Sequence, residues 1–554
     1  MTVSQALDAA AERHPERPLF ITDEREHTYA GIRQWSRDIA AGLIANGIEP
    51  GDHVAMVMAN YPEFVAVKFA IARVGAVCVP INYLFRGPEL GYVIDQSDAK
   101  LLITMNRYRD LNYLESLDGI APGWEAGGGG VTIPQLRTIV VFSPDGEDRP
   151  GTTTLADLVA AGTGEARTEL SRRERVLEPT TYSDILYTSG TTGRPKGVLL
   201  THDQVVRMAY AAAYQRALED GRRLGFPMPM YHVFGYLECL MAATFVGGAI
   251  VPRVVFDAKD MLSAIARHRV NEVVGVPAVT LPLLAELQRG EYDCSTVHTV
   301  FSSGGAAPPT IWGDIRTGFG DVEMTTGYGM TETTAATACT MPEADNEVLR
   351  TTNGRLRFAG AAGDPALGGM IATYKAVDLD TDEDLPPGEE GHLLARGPVI
   401  THGYYNKPEE TRLAFTPDGW FRTGDIGTID AEGNLKLTGR LKESFRVGGE
   451  MVMPKEIENV LALHPGVAEA HVCGLPHQRM GEVGCAWIIP RDADDPPDRD
   501  ELVQFCAARL ARFKVPRHVI LMSSEELPVT VTGRVQKFRL TEMAKERLGE
   551  RAPA

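Results

Sequence analysis

Tyr187-Thr-Ser-Gly-Thr-Thr-Gly-Arg-Pro-Lys-Gly197 directly follows the apolar run DILY at 184–187. Gly190 and Gly193 let backbone N–H groups approach an anion, Thr188, Ser189, Thr191 and Thr192 add hydroxyl donors, and Lys196 adds a cation. The segment therefore predicts a phosphate loop, set after a buried strand and before a helix. It is not a Walker A loop, because Lys196 is followed by Gly197 rather than by Ser or Thr. A phosphate loop fed by a buried strand places the chain among helix-covered sheets.

The surrounding pattern extends this reading. HVAMVMAN (53–60), AVCVPIN (76–82), AKLLIT (99–104) and RTIVVF (137–142) read as buried strands, and 62–73 carries helical periodicity. Past the loop, helices are expected near 202–217 and 258–268, with strands at 248–252, 272–277, 298–303 and 321–327. One large α/β domain of helix-covered, mainly parallel sheets accommodates them all. Two glycine- and proline-rich stretches, 123–130 and 143–151, read as surface loops or insertions without chemistry. After Gly439 the texture changes to a compact set of helices near 456–464, 500–512 and from 535, with strands near 468–473 and 483–489. This predicts a large domain over residues 1–441 and a small α+β domain over 442–554.

The totals exclude several classes. At 554 residues with 44% hydrophobic and 23% charged residues, the chain is globular and large enough for more than one domain. A net charge of −19 argues against nucleic acid as a partner, since phosphate contacts need surplus basic surface. Seven cysteines with no CxxC pair fit a reducing, cytoplasmic location. The N-terminus has no apolar signal core, and the apolar tract 64–81 is broken by Lys68, Arg73 and Gly75. No integral membrane segment is expected, and a homodimer is only a base-rate expectation.

Further segments carry chemistry. Thr326-Gly-Tyr-Gly-Met-Thr-Glu-Thr333 puts Gly327, Tyr328, Gly329, Thr331 and Glu332 together; Gly419-Trp-Phe-Arg-Thr-Gly-Asp425 and Gly439-Arg440-Leu-Lys442 follow. Arg446-Val-Gly-Gly-Glu-Met-Val-Met-Pro-Lys-Glu-Ile457 contains Gly448 and Gly449, where backbone allows close approach. Tyr231-His232-Val-Phe234-Gly235 and Ser303-Gly304-Gly305-Ala306-Ala307 complete the series.

In this order, over nearly the whole chain, the segments resemble the adenylate-forming superfamily of acyl-CoA synthetases, peptide-synthetase adenylation domains and beetle luciferases. The resemblance implies that Tyr328 stacks on adenine, Thr331 contacts phosphate, Glu332 holds Mg²⁺, Asp425 accepts the ribose hydroxyls, and Arg440 reaches the nucleotide. It further implies a hinge at Lys442, a pantetheine passage at Gly448 and Gly449, and acyl and adenine pockets lined by the 231–235 and 303–307 segments. His232 reads equally as a gate, a polar pocket contact or a core histidine. The chain stops at Ala554, so free CoA rather than an appended carrier domain is the expected acceptor.

One position departs from the pattern. Where the family writes Gly-Lys, this chain has Gly533-Arg534, in Pro528-Val-Thr-Val-Thr-Gly-Arg-Val-Gln-Lys537. In the resemblance that lysine bridges carboxylate and α-phosphate, and arginine's planar fork differs in shape from a compact ammonium. Losing a well-aimed charge there costs on the order of 3 kcal/mol. The expectation is an acyl-CoA ligase that joins CoA to an acyl adenylate but adenylates the free acid weakly or not at all, drawing acyl-AMP from a separate adenylating enzyme. The alternative is an ordinary two-step ATP-dependent ligase. Substrates and cofactors are then ATP or acyl-AMP, CoA and Mg²⁺, with a hydrophobic carboxylic acid as acyl donor. A kinase would need the Walker lysine, and a non-catalytic sensor has little reason to keep Asp425, Arg440 and the Gly448-Gly449 loop together.

Overall fold

A computed structural model of the chain describes residues 1–554 except 189–193, 305–307, 309, 449, 531–534 and 550–554. Among the described residues, two seven-stranded sheets dominate. The first runs Glu323–Thr325, Thr299–Ser302, Glu272–Gly275, Arg223–Phe226, Ala249–Pro252, Pro18–Ile21, Glu26–Thr28, parallel except for its last pair. The second runs Lys196–Thr201, Tyr182–Thr188, Val77–Pro80, His53–Val57, Ala99–Met105, Thr138–Phe142, Thr153–Thr154, parallel except for its first pair. Strands buried on both faces read as continuous apolar runs rather than alternations, which is why they were visible in the sequence.

The helix Pro62–Val74 packs almost wholly inside, with only Glu63 of its residues outside the buried class. Its two cations are paired: Lys68 with Asp184 on the strand leading to the phosphate loop, and Arg73 with Asp8 and with Glu174 at 2.8 Å. The charges that interrupt this apolar tract are therefore the groups that pin it to its neighbours. Among the described residues no helix is long and apolar enough to cross a membrane.

Two sequence expectations are corrected. The phosphate loop does not lead from strand to helix; it joins Tyr182–Thr188 to Lys196–Thr201 as an antiparallel hairpin, and the helix His202–Gln215 starts only afterwards. The β-branched and apolar residues of 198–201 find a ladder partner in the preceding strand, and that pairing wins over helix initiation. Nor is 123–130 an inert excursion: Trp124 is buried and donates its indole N–H to Asp118 at 3.0 Å, while Gly128 and Gly129 lie against the carbonyls of Leu136 and Ile133.

A layer absent from the sequence reading lies between the parallel sheets and the C-terminal part. Thr373–Val377, Gly391–Arg396, Phe421–Ile429 and Leu435–Arg440 form an antiparallel meander, and Gly327–Gly329 pairs with Ala336–Cys339. Beyond it, the long hairpin of Val467–His477 and Gly481–Pro490 joins Phe445–Val447, Glu450–Val452 and His518–Leu521, with helices Pro454–Leu461, Arg499–Ala507 and Lys537–Leu548. The hydrophobic cores are separate: the large one ends at Leu437, and those of the small α+β unit begin at Phe445.

Candidate active site

The strand Phe421–Ile429 presents Asp425 opposite Arg440 on Leu435–Arg440. Asp425 is fully buried, its Oδ1 lies 3.1 Å from Arg440 Nε, and its Oδ2 accepts the Tyr328 hydroxyl at 2.7 Å. Tyr328 enters from the short strand Gly327–Gly329; burial, then the Asp425 charge, raises its phenol well above the ordinary value. Such a constellation holds a carboxylate and a phenol rigidly side by side, with the ring face set by its neighbours. Tyr374 packs at 6.1 Å between ring centroids, and Gly329 lets the chain pass the Ala335 carbonyl, where a Cβ would sit only 1.9 Å away.

A second cluster forms where the phosphate-loop hairpin meets the segment 401–405. The backbone of that segment runs along the hairpin, with Tyr405 N donating to Gly197 O at 2.8 Å and Leu199 N to Gly403 O at 3.1 Å. This sets Tyr404 between two groups expected to serve phosphate and metal: Lys196 Nζ lies 4.1 Å from its ring centroid, and its hydroxyl donates to Glu332 Oε1 at 3.0 Å. Burial holds the Lys196 ammonium below the ordinary lysine value, Glu332 pulling the other way and Lys442 adding to the depression. Glu332 sits in the turn Thr331–Thr333, and Thr331 is buried beside it. Tyr404 was missed in the sequence, where the only signal was the aromatic pair following Gly403.

A divalent cation fits this cluster on its donor chemistry. Tyr404 takes one Glu332 oxygen, leaving the other, and the described residues contain no group of three or more His, Cys, Asp or Glu that could hold a metal. A single carboxylate suits a hard cation that draws its remaining oxygens from substrate phosphates and water.

The segment expected to line the acyl pocket runs into a π-helical turn, Phe234–Met241. Gly235 is required there, since a Cβ would lie 2.6 Å from the Pro229 carbonyl oxygen. His232 is half-buried, Nδ1 accepts from Phe234 N at 3.3 Å, and burial pushes its pKa down to about 4. The imidazole is therefore neutral at the start of this turn, with Tyr231 buried next to it. Phe234 meets Phe301 edge-on at 5.3 Å, and a Cβ at Gly304 (φ +86°) would touch Val276 and Phe234. Ser303 Oγ donates to Gly327 O at 2.7 Å, joining this wall to the Tyr328 strand.

Thr188 ends its strand opposite Lys196. Gly448, at φ +62°, donates its N–H to Met480 O at 2.8 Å within the small unit. Leu441 N bonds Gly424 O at 2.9 Å just before Lys442, tying the connection between the units to the Asp425 strand. Ser189, Gly190, Thr191, Thr192, Gly193, Gly305, Ala306, Gly449 and Arg534 lie outside the described residues.

A helix-covered α/β body with a small α+β unit, joined beside a buried Asp–Tyr–Arg constellation and a Lys–Tyr–Glu cluster, is the architecture of adenylate-forming ligases. Residues 7–405 match the family described as AMP-binding enzyme, and 456–534 match the AMP-binding enzyme C-terminal domain. The chain belongs to this family, in its acyl-CoA ligase branch, and is an AMP-forming acid–thiol ligase. It is 33% identical to a putative acyl-CoA synthetase, YngI, of Bacillus subtilis over 98% of this chain and 97% of the relative. It is also 33% identical to a Mycobacterium tuberculosis propanoyl:CoA ligase whose propanoyl group bears a 7a-methyl-1,5-dioxo-octahydro-1H-inden-4-yl substituent, over 98% and 99% of the two chains. ATP-bound MatB from Rhodopseudomonas palustris matches with a TM-score of 0.83 and 25% identity over 99% of this chain and 100% of that one.

Proposed function

We propose that the protein carries out both half-reactions: it adenylates a hydrophobic carboxylic acid with ATP and then transfers the acyl group to CoA. The handicap expected from Arg534 gains no support. The relatives matched over nearly the full length include a putative acyl-CoA synthetase and an acyl-CoA ligase, and the rest of the motif series is intact. Arginine keeps the positive charge under all physiological conditions.

In the first step an acid oxygen attacks the α-phosphorus and pyrophosphate leaves. In the second, the CoA sulfur attacks the acyl carbonyl carbon and AMP leaves. Tyr328 supplies a face for adenine, Asp425 accepts from both ribose hydroxyls, and Arg440 holds that carboxylate and reaches the nucleotide. Lys196 and the hydroxyls and N–H groups of Thr188 to Gly193 neutralise the leaving pyrophosphate, with Thr331 contacting phosphate. Glu332 would hold Mg²⁺, which when bound draws phosphate charge away from the approaching carboxylate. Arg534 steadies the acid and α-phosphate as they meet. Rotation of 442–554 about Lys442 then exchanges Arg534 for the Gly448-Gly449 loop, beside which pantetheine enters. His232 and Tyr231, with Phe234, Gly304, Gly305 and Ala306, would line the acyl and adenine pockets, and the small residues beside the aromatics Tyr231 and Phe234 favour a roomy site for a hydrophobic acid.

The observation that carries this reading is the buried Asp425, served at once by Tyr328 and Arg440 from two other strands. Removing the Arg534 charge is the test. Arg534→Met should slow acid-dependent ATP–pyrophosphate exchange about a hundredfold, the usual scale for losing one aimed donor, while sparing acyl transfer from a supplied adenylate. Equal exchange in both proteins would remove Arg534 from the mechanism.

A further inference from the structure

Lys537 opens the helix Lys537–Leu548, three residues after Arg534. The residues that bracket the intervening segment are paired, Val529 with Val535, and Gln536 N donates to Pro528 O at 2.8 Å. The Lys537 ammonium is mostly buried and lies 2.6 Å from Glu458 Oε1 and 3.5 Å from Glu443 Oε2. Glu458, buried on Pro454–Leu461, also accepts from Val472 N at 2.9 Å and faces Lys455 at 3.9 Å. Glu443 is the residue after Lys442, and its N–H donates to Arg440 O at 3.1 Å. One ammonium thus ties the foot of the Arg534 segment to the small-domain core on one side and to the hinge on the other.

We infer that Lys537 is a positioning residue for adenylation, setting the Arg534 segment relative to the hinge through Glu443. The inference rests on the two-step reading above. A long cation must be aimed to within about an ångström, and misplacement on that scale costs about a hundredfold. Thioester formation, in which Arg534 takes no part, does not need the aim. Lys537 is also committed to two carboxylates, so it is not a stand-in for the missing lysine.

The decisive variant is Glu443→Gln, which leaves the Lys537–Glu458 pair intact. For the acid giving the fastest exchange in the native enzyme, drawn from a panel of medium-chain and cyclic acids, Glu443→Gln should lower the kcat of ATP–pyrophosphate exchange about tenfold to a hundredfold. Its melting midpoint and its rate of CoA transfer from the synthetic adenylate should stay native. Lys537→Gln should show the same selective loss and Lys537→Arg should regain part of it. Unchanged exchange in Glu443→Gln, or both half-reactions falling together with the melting midpoint, would overturn the inference. Absence of exchange in the native enzyme would instead bring down the two-step reading, and the inference with it.

Discussion

Asp425 carries no exposed surface, and Arg440 and Tyr328 converge on its buried charge and offset it. Tyr328→Phe deletes one hydrogen bond to an ionised group, a contact worth about 1.5–3 kcal/mol. The KM for ATP should rise about tenfold or more with kcat little changed, read from initial rates at saturating acid and CoA. The motif order made Asp425, Arg440, Tyr328 and Glu332 legible before any coordinates, because each sits in a short run whose chemistry is local. Tyr404 was not legible: its role depends on 401–405 lying along the phosphate-loop hairpin, a contact between segments about 200 residues apart. The same holds for Glu443 and Glu458, whose value lies in meeting Lys537.

At the scale of elements, the π-helical turn is held by buried charge. Arg357 grips both oxygens of Glu238 at 2.8 and 3.0 Å, and Arg216 reaches Glu238 and Glu272, all four being buried. Arg357→Met leaves Glu238 with less than its share of cations and should cost about 3–5 kcal/mol in denaturant unfolding. His202, at the start of its helix, accepts from Val3 N through Nδ1, and burial lowers its pKa to about 3. The unfolded imidazole takes a proton near pH 6.5 and the folded one does not, so its contribution is complete above about pH 6.5 and is lost as pH falls toward 3. Going from pH 7.5 to 5 should therefore remove about 2 kcal/mol, and His202→Gln should flatten that slope in melts across the range. The doubly buried strands could be read from their composition alone. The antiparallel meander could not, since Phe421–Ile429 and Leu435–Arg440 are only partly buried and carry glycines, and so resemble loops until their partners are known.

For the whole molecule, the proposed function has one small unit serve two steps in turn. Its separateness shows in the sequence as a change of texture after Gly439 and in the structure as cores that stop at Leu437 and resume at Phe445. Fixing φ at the junction with Lys442→Pro should separate the steps, retaining exchange while acyl-CoA formation falls about a hundredfold or more. The central claim, that this chain activates its own acid despite Arg534, is met most directly by acid-dependent ATP–pyrophosphate exchange in the purified native protein. The account predicts exchange without any companion enzyme, and one AMP released for each acyl-CoA formed once CoA is added. Rapid thioester formation from supplied acyl adenylate with no exchange from any acid would contradict it.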